Sequence, residues 1–169
     1  DKGGAFFNPQ GLSLTSDGHQ RATRGRGGPD PLPYNDVFQT CQFDSNTAQL
    51  GGAATIANLG WWEFRQCTFA DNEAVQGGAV YGATSHDSYV DCLFLRNTAS
   101  QGSAVYWDGW FNPYAASDPV WTGCTFADNT ALGGSTLEFV QMGTWRPVVE
   151  RCLMAFNTGG SVSVSGHDE

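Results

Sequence analysis

Apolar and polar residues alternate in short bursts, and one such burst returns five times between residues 41 and 159. It reads Cys41-Gln-Phe43-Asp-Ser-Asn46-Thr-Ala48, then Cys67-Thr-Phe69-Ala-Asp-Asn72-Glu-Ala74, then Cys92-Leu-Phe94-Leu-Arg-Asn97-Thr-Ala99. Cys124-Thr-Phe126-Ala-Asp-Asn129-Thr-Ala131 keeps every marked position, and Cys152-Leu-Met154-Ala-Phe-Asn157-Thr-Gly159 exchanges Phe for Met and Ala for Gly. Cys and Phe two apart share one face of a strand, and Ala two beyond Asn returns to that face after a turn. A small-residue step follows each of the first four bursts: Gly51-Gly52-Ala53, Gly77-Gly78-Ala79, Gly102-Ser103-Ala104 and Gly133-Gly134-Ser135. Further short strands are expected at 80–81, 105–106, 137–140 and 148–149, and no helix of useful length.

Consecutive asparagines lie 26, 25, 32 and 28 residues apart. That is the length of chain that goes once around a three-sided solenoid. An antiparallel sandwich would need two-residue hairpin turns instead of a returning motif. The expected fold is therefore all-β, a right-handed parallel β-helix of about five to six coils with two loop insertions, forming a single domain over 1–169. Residues 1–7 would end a first coil, 8–36 would be an insertion or arm, and 37–166 would hold the repeat coils. Asn46, Asn72, Asn97, Asn129 and Asn157 are expected at corners, in left-handed backbone, with their amides bonded from coil to coil. Phe43, Phe69, Phe94, Phe126 and Met154 should form an interior ladder. The Gly-Gly-Ala steps should mark bends too close for larger side chains.

Charge narrows the partners. Seventeen acidic against eight basic residues leave a net charge of -9, a field that repels phosphate backbones and anionic headgroups. Nucleic acid is not an expected partner. No window reaches the roughly 20 apolar residues of a membrane span, so no membrane insertion by this chain is expected. Arg21, Arg24 and Arg26 among glycines read as a solvated loop. The abrupt start, with Gly3-Gly4-Ala5 resembling the end of a motif, suggests that a targeting segment has been removed.

Five cysteines, one per coil, lack the clustered spacing of a metal site. Stacked inward, Cys41, Cys67, Cys92, Cys124 and Cys152 would act as small, unreactive hydrophobes. Disulfides between adjacent coils are the alternative, since neighbouring strands lie within bridging distance. No cofactor and no metal are expected.

The paired motifs, with Phe69-Ala-Asp-Asn72 and Gly77-Gly78-Ala79-Val80 as the closest match, resemble those of chlamydial polymorphic outer membrane proteins and related right-handed β-helix repeat proteins. The resemblance covers 41 to about 160. It implies a surface-exposed or secreted passenger used in adhesion or assembly, hence an extracytoplasmic location: secreted, cell surface or organelle lumen. Such motifs specify fold better than function.

Function is then sought on surfaces. The arm at 8–36 is one insertion, and 107–114, rich in aromatics, is the other. With Phe and Cys filling a narrow interior, Trp61, Trp62, Trp107, Trp110, Phe111 and Tyr114 are the candidate interface, and Trp121 and Trp145 add to the excess of aromatics. Exposed aromatics suit protein partners or stacked sugar rings. The first reading is a non-catalytic structural or accessory subunit docked through its aromatic surface in a larger assembly, since a short β-helix has open ends that a partner could cover. The second is an adhesin-like module that binds glycans or host proteins. The third, a polysaccharide-active enzyme, would need converging carboxylates or an acidic calcium site. Asp87, Asp91, Asp108, Asp118, His86 and Arg146 are its candidates. The chain is read as not an enzyme.

Overall fold

The architecture follows from one repeated choice of residues at the corners. In the computed structural model, residues 12–14, 35–57, 61–83, 86–109, 118–140 and 146–166 are described. Strand β1 (Leu12–Leu14) precedes the coils. The first rung holds β2 (Asn35–Gln39), β3 (Gln42–Asp44) and β4 (Ala54–Ala57). The second holds β5 (Trp61–Arg65), β6 (Thr68–Ala70), β7 (Glu73–Gln76) and β8 (Val80–Ala83). The third holds β9 (His86–Val90), β10 (Leu93–Leu95), β11 (Thr98–Gln101) and β12 (Val105–Asp108). β13 (Val120–Thr122), β14 (Thr125–Ala127) and β15 (Thr130–Val140) make the fourth, and β16 (Val148–Glu150), β17 (Leu153–Ala155) and β18 (Thr158–Ser165) the fifth.

Strands stack in register onto their counterparts one coil away, giving sheets ordered β16-β13-β9-β5-β2 and β17-β14-β10-β6-β3 and an eight-stranded third wall. Every pairing between rungs is parallel, and no helix occurs among the described residues. The chain is a parallel β-solenoid, consistent with a right-handed β-helix. Its rungs make about four turns rather than five to six coils. The extra coil expected from 1–7 lies outside the described residues. Within the expected arm, β1 pairs antiparallel with β4, Leu12 opposite Ile56 and Leu14 opposite Ala54, and so covers the first edge of the third wall. The rest of 8–36, up to residue 34, lies outside the described residues.

The corners correct one expectation. Left-handed backbone falls on the residue before each asparagine, at Ser45, Asp71, Arg96, Asp128 and Phe156, and again on the residue before each cysteine, at Thr40, Gln66, Asp91, Gly123 and Arg151. The asparagine cannot take that step itself, because its own N–H must run along the axis beside its amide toward the next coil. Non-glycine residues in this region cost about 1–2 kcal/mol each, which the bonding between coils must offset. Gly51, Gly77 and Gly102 make a third left-handed step in the first three rungs. At Gly77, a Cβ would overlap the carbonyl of Val80. In the fourth rung this step is absent, and β15 runs unbroken through both halves of the wall.

Two aromatic columns fill the interior. Phe43, Phe69, Phe94 and Phe126 stack with centroids 4.8, 4.8 and 4.7 Å apart. Phe38, Phe64, Tyr89 and Trp121 form the second, at 5.0, 5.0 and 5.3 Å. The columns meet edge to face, as at Phe64 and Phe69 (5.6 Å, 63°), the geometry that ring quadrupoles favour. Cysteines run between them.

Candidate docking site at the open end

Placing the aromatics overturns part of the expected interface. Trp107 is fully buried on the inner face of the third wall and packs edge-on against buried Trp121 (6.1 Å, 88°). It fits because Gly82, its neighbour one coil below, has no side chain: a Cβ there would overlap the indole. That wall is also lined by Ala54, Ile56, Val80, Val105, Leu137 and Phe139, so the interior holds more than a Phe and Cys filling. Trp62 is half-buried and packs on the core. The Trp61 side chain and all of Trp110, Phe111, Tyr114 and Trp145 lie outside the described residues.

Exposed large apolar residues among the described ones lie elsewhere, at Leu50, Val75, Leu93 and Leu132 on earlier rungs and at Leu153, Phe156, Val162 and Val164 on the last. At the first described rung, Phe38, Cys41 and Phe43 are buried, Phe43 at 2% exposure. At the last rung the same inward columns come to the surface. Val149, Cys152 and Met154 are half-buried, and Val162 and Val164 are 46% and 62% exposed. Their counterparts one coil earlier, Trp121, Cys124, Phe126, Leu137 and Phe139, are all buried. Leu153 and Phe156 extend the patch along its rim, Phe156 at 86% exposure in a corner position that elsewhere holds Ser45, Asp71, Arg96 or Asp128. Strands β16 and β17 are edge strands with one neighbour each, and β18 pairs only with β15. Contiguous exposed apolar surface with open strand edges marks a contact surface. Sequence alone offered a signal for this end in the drift of the last motif to Met154, Phe156 and Gly159.

The asparagine ladder ends here too, and it has a direction. The backbone N–H and side-chain amide of Asn46 both donate to Oδ1 of Asn72, at 3.1 and 2.9 Å. Asn72 donates likewise to Asn97 (3.1 and 2.9 Å), Asn97 to Asn129 (2.9 and 3.0 Å) and Asn129 to Asn157 (2.9 and 2.9 Å). The amides of Asn72, Asn97, Asn129 and Asn157 also donate backward to a phenylalanine carbonyl, Asn157 to that of Phe126 at 2.9 Å. In Asn157, the forward-pointing donors have no acceptor among the described residues.

All five cysteines are free thiols. Those of Cys67, Cys92, Cys124 and Cys152 donate to carbonyls one coil back, at 3.3–3.5 Å. Burial, then the neighbouring Cys67 thiol, pushes Cys41 up to about 11. Cys92 is raised further, by its contacts with the Cys124 and Cys67 thiols and by burial. Burial also raises Cys152. A thiol raised by folding adds stability that is complete below the unfolded value near 9 and is lost as pH climbs through the folded one. Urea midpoints are therefore expected to fall between pH 9 and about 11, and less so in Cys41→Ala. Midpoints that stay flat over that window would refute the buried-thiol picture.

The charged candidates do not converge. Asp87 and His86 are buried on β9, Asp91 is an exposed corner, and Asp118 accepts the Arg146 N–H at 2.7 Å. Asp108 lies on the outer face of β12 near the stacked Tyr81 and Tyr106 (5.6 Å), whose hydroxyls are raised by burial and then by its charge. No group of three or more His, Cys, Asp or Glu is placed to hold a metal ion among the described residues. No helix there is long and apolar enough to cross a membrane. No family model, no curated protein and no solved structure matches the chain.

Proposed function

We propose that this protein is a non-catalytic β-helix scaffold, docked as a structural or accessory subunit in a larger extracytoplasmic or lumenal assembly through exposed apolar surface on its last described rung. The observation that carries this reading is the exposed apolar surface of the last described rung, where Phe156, Val162 and Val164 are 86%, 46% and 62% exposed. Exposed apolar surface of this kind marks a contact surface. The Phe-x-x-Asn and Gly-Gly-Ala steps, which resemble those of polymorphic outer membrane proteins, support an extracytoplasmic or lumenal setting.

The test compares the full chain with Val164→Asp, each affinity-purified from its native source. Val164 is 62% exposed, so the variant should fold normally, as circular dichroism would show. The wild type should come out stoichiometrically with protein companions, and the variant alone. Wild type recovered as a lone monomer would refute the docking role.

A further inference from the structure

We propose that the fourth-rung corner at residues 133–135 is a two-state element: the Glu138 carboxylate latches it flat, and its release lets the corner take the left-handed turn of the earlier rungs. This stands apart from the docking reading above. In the first two rungs one backbone pattern joins this corner to the next coil. The Gly51 N–H donates to the Gln76 carbonyl at 2.9 Å, and the Gly77 N–H to that of Gln101 at 3.0 Å. Gly52 and Gly78 donate to the carbonyls of the left-handed glycines themselves, Gly77 and Gly102, at 3.1 and 3.0 Å.

The third rung departs from this pattern because the fourth does not turn. The Gly102 N–H donates to Glu138 Oε2 at 3.0 Å instead of a backbone carbonyl, and the Ser103 N–H to the Ser135 carbonyl at 3.0 Å. The same Oε2 accepts the Ser135 N–H at 3.3 Å, and Oε1 accepts the Gln101 amide at 3.5 Å. Glu138 is buried. Its carboxylate stands where a carbonyl of the missing turn would be.

The two rungs spend the same length of chain on this corner, since Asn97 and Asn129, Ala99 and Ala131, and Val105 and Leu137 are all partners from coil to coil. Gly134 therefore holds the place of left-handed Gly102 without being left-handed itself, and it can turn the same way with no shift of the columns on either side. In the turned form the carbonyls of Gly133 and Gly134 would receive the N–H groups of Gly102 and Ser103. Glu138 would then project outward like Tyr106, its register partner.

Gly134 makes both forms reachable. A Cβ there would overlap the Glu138 carboxylate in the flat form, and would cost about 1–2 kcal/mol in the left-handed one. Charge holds the latch closed. An ionised carboxylate only accepts, so it can serve several N–H groups at once, whereas the NH2 of a glutamine would face donors with a donor.

Two full-length variants test the device by backbone NMR, with circular dichroism to verify the fold. Glu138→Gln removes the charge at constant volume. Gly134→Asn displaces the carboxylate with a residue that tolerates left-handed backbone. In both, φ at residue 134 should become positive while the Gly102 amide keeps its protection, its acceptor now the Gly133 carbonyl. A static prop would behave differently: in Glu138→Gln the Gly102 amide would exchange about tenfold faster or more, with φ at Gly134 unchanged. That result would overturn the two-state corner, as would a Gly134→Asn variant that fails to fold while Glu138→Gln folds normally.

Discussion

Replacing Asn97 by leucine is expected to cost about 4 kcal/mol or more, a large share of the stability of a domain. Asn97 is fully buried. Its Oδ1 is the acceptor for both the Asn72 N–H (3.1 Å) and the Asn72 amide (2.9 Å), and its own amide serves the Phe69 carbonyl at 2.9 Å. Leucine has a similar volume, so packing changes little, but these groups are left buried without partners at about 1–3 kcal/mol each. Net stabilities of domains are about 5–15 kcal/mol. Asn157→Leu is the control. It removes the same two bonds from Asn129, but at a half-buried end where water can replace them, so about 1 kcal/mol is expected. Urea unfolding followed by circular dichroism measures both, and equal losses would mean that the ladder is not the axial support described here.

Trp121→Ala is expected to cost about 3–5 kcal/mol, as for other buried aromatics truncated in a core. Trp121 stacks on Tyr89 (5.3 Å, 2°), lies against Phe139 (5.4 Å, 54°) and meets Trp107 edge-on. Each rung contacts only its neighbours along a solenoid. The cavity would therefore weaken the third, fourth and fifth rungs together and spare the first two. Thermal unfolding would show a lower, broader transition. A loss under 1 kcal/mol with unchanged tryptophan emission would return this residue to the surface.

Much of the fold is legible in the sequence because a coil cannot change one inward residue without disturbing the next. The Cys, Phe and Asn columns repeat at fixed offsets, and their stacking is what the structure shows. The second aromatic column has an equally regular offset, Phe38, Phe64, Tyr89 and Trp121 each lying three residues before a cysteine. Changing ring type hid the pattern. The place of Trp107 could not be read locally, because the space it fills belongs to Gly82 one coil below. The position of left-handed backbone was missed because Arg96 and Phe156 are poor residues for it, and propensity pointed to the adjacent asparagine. The docking end is only half legible. Apolar drift at Met154 and Phe156 is visible in the chain, but the exposure of Val162 and Val164 depends on how the last described rung stacks on the fourth.

The last rung, with one neighbour and a surface lined by Val162 and Val164, should open first in the free protein. Amide hydrogen exchange, read rung by rung in the free chain and in the assembly recovered from its native source, tests the docking end most directly. Slow exchange across 61–140 in both, with fast exchange at 146–166 that becomes slow on assembly, is the expected result. Exchange at 146–166 that is the same in the free and assembled protein would contradict docking through this end.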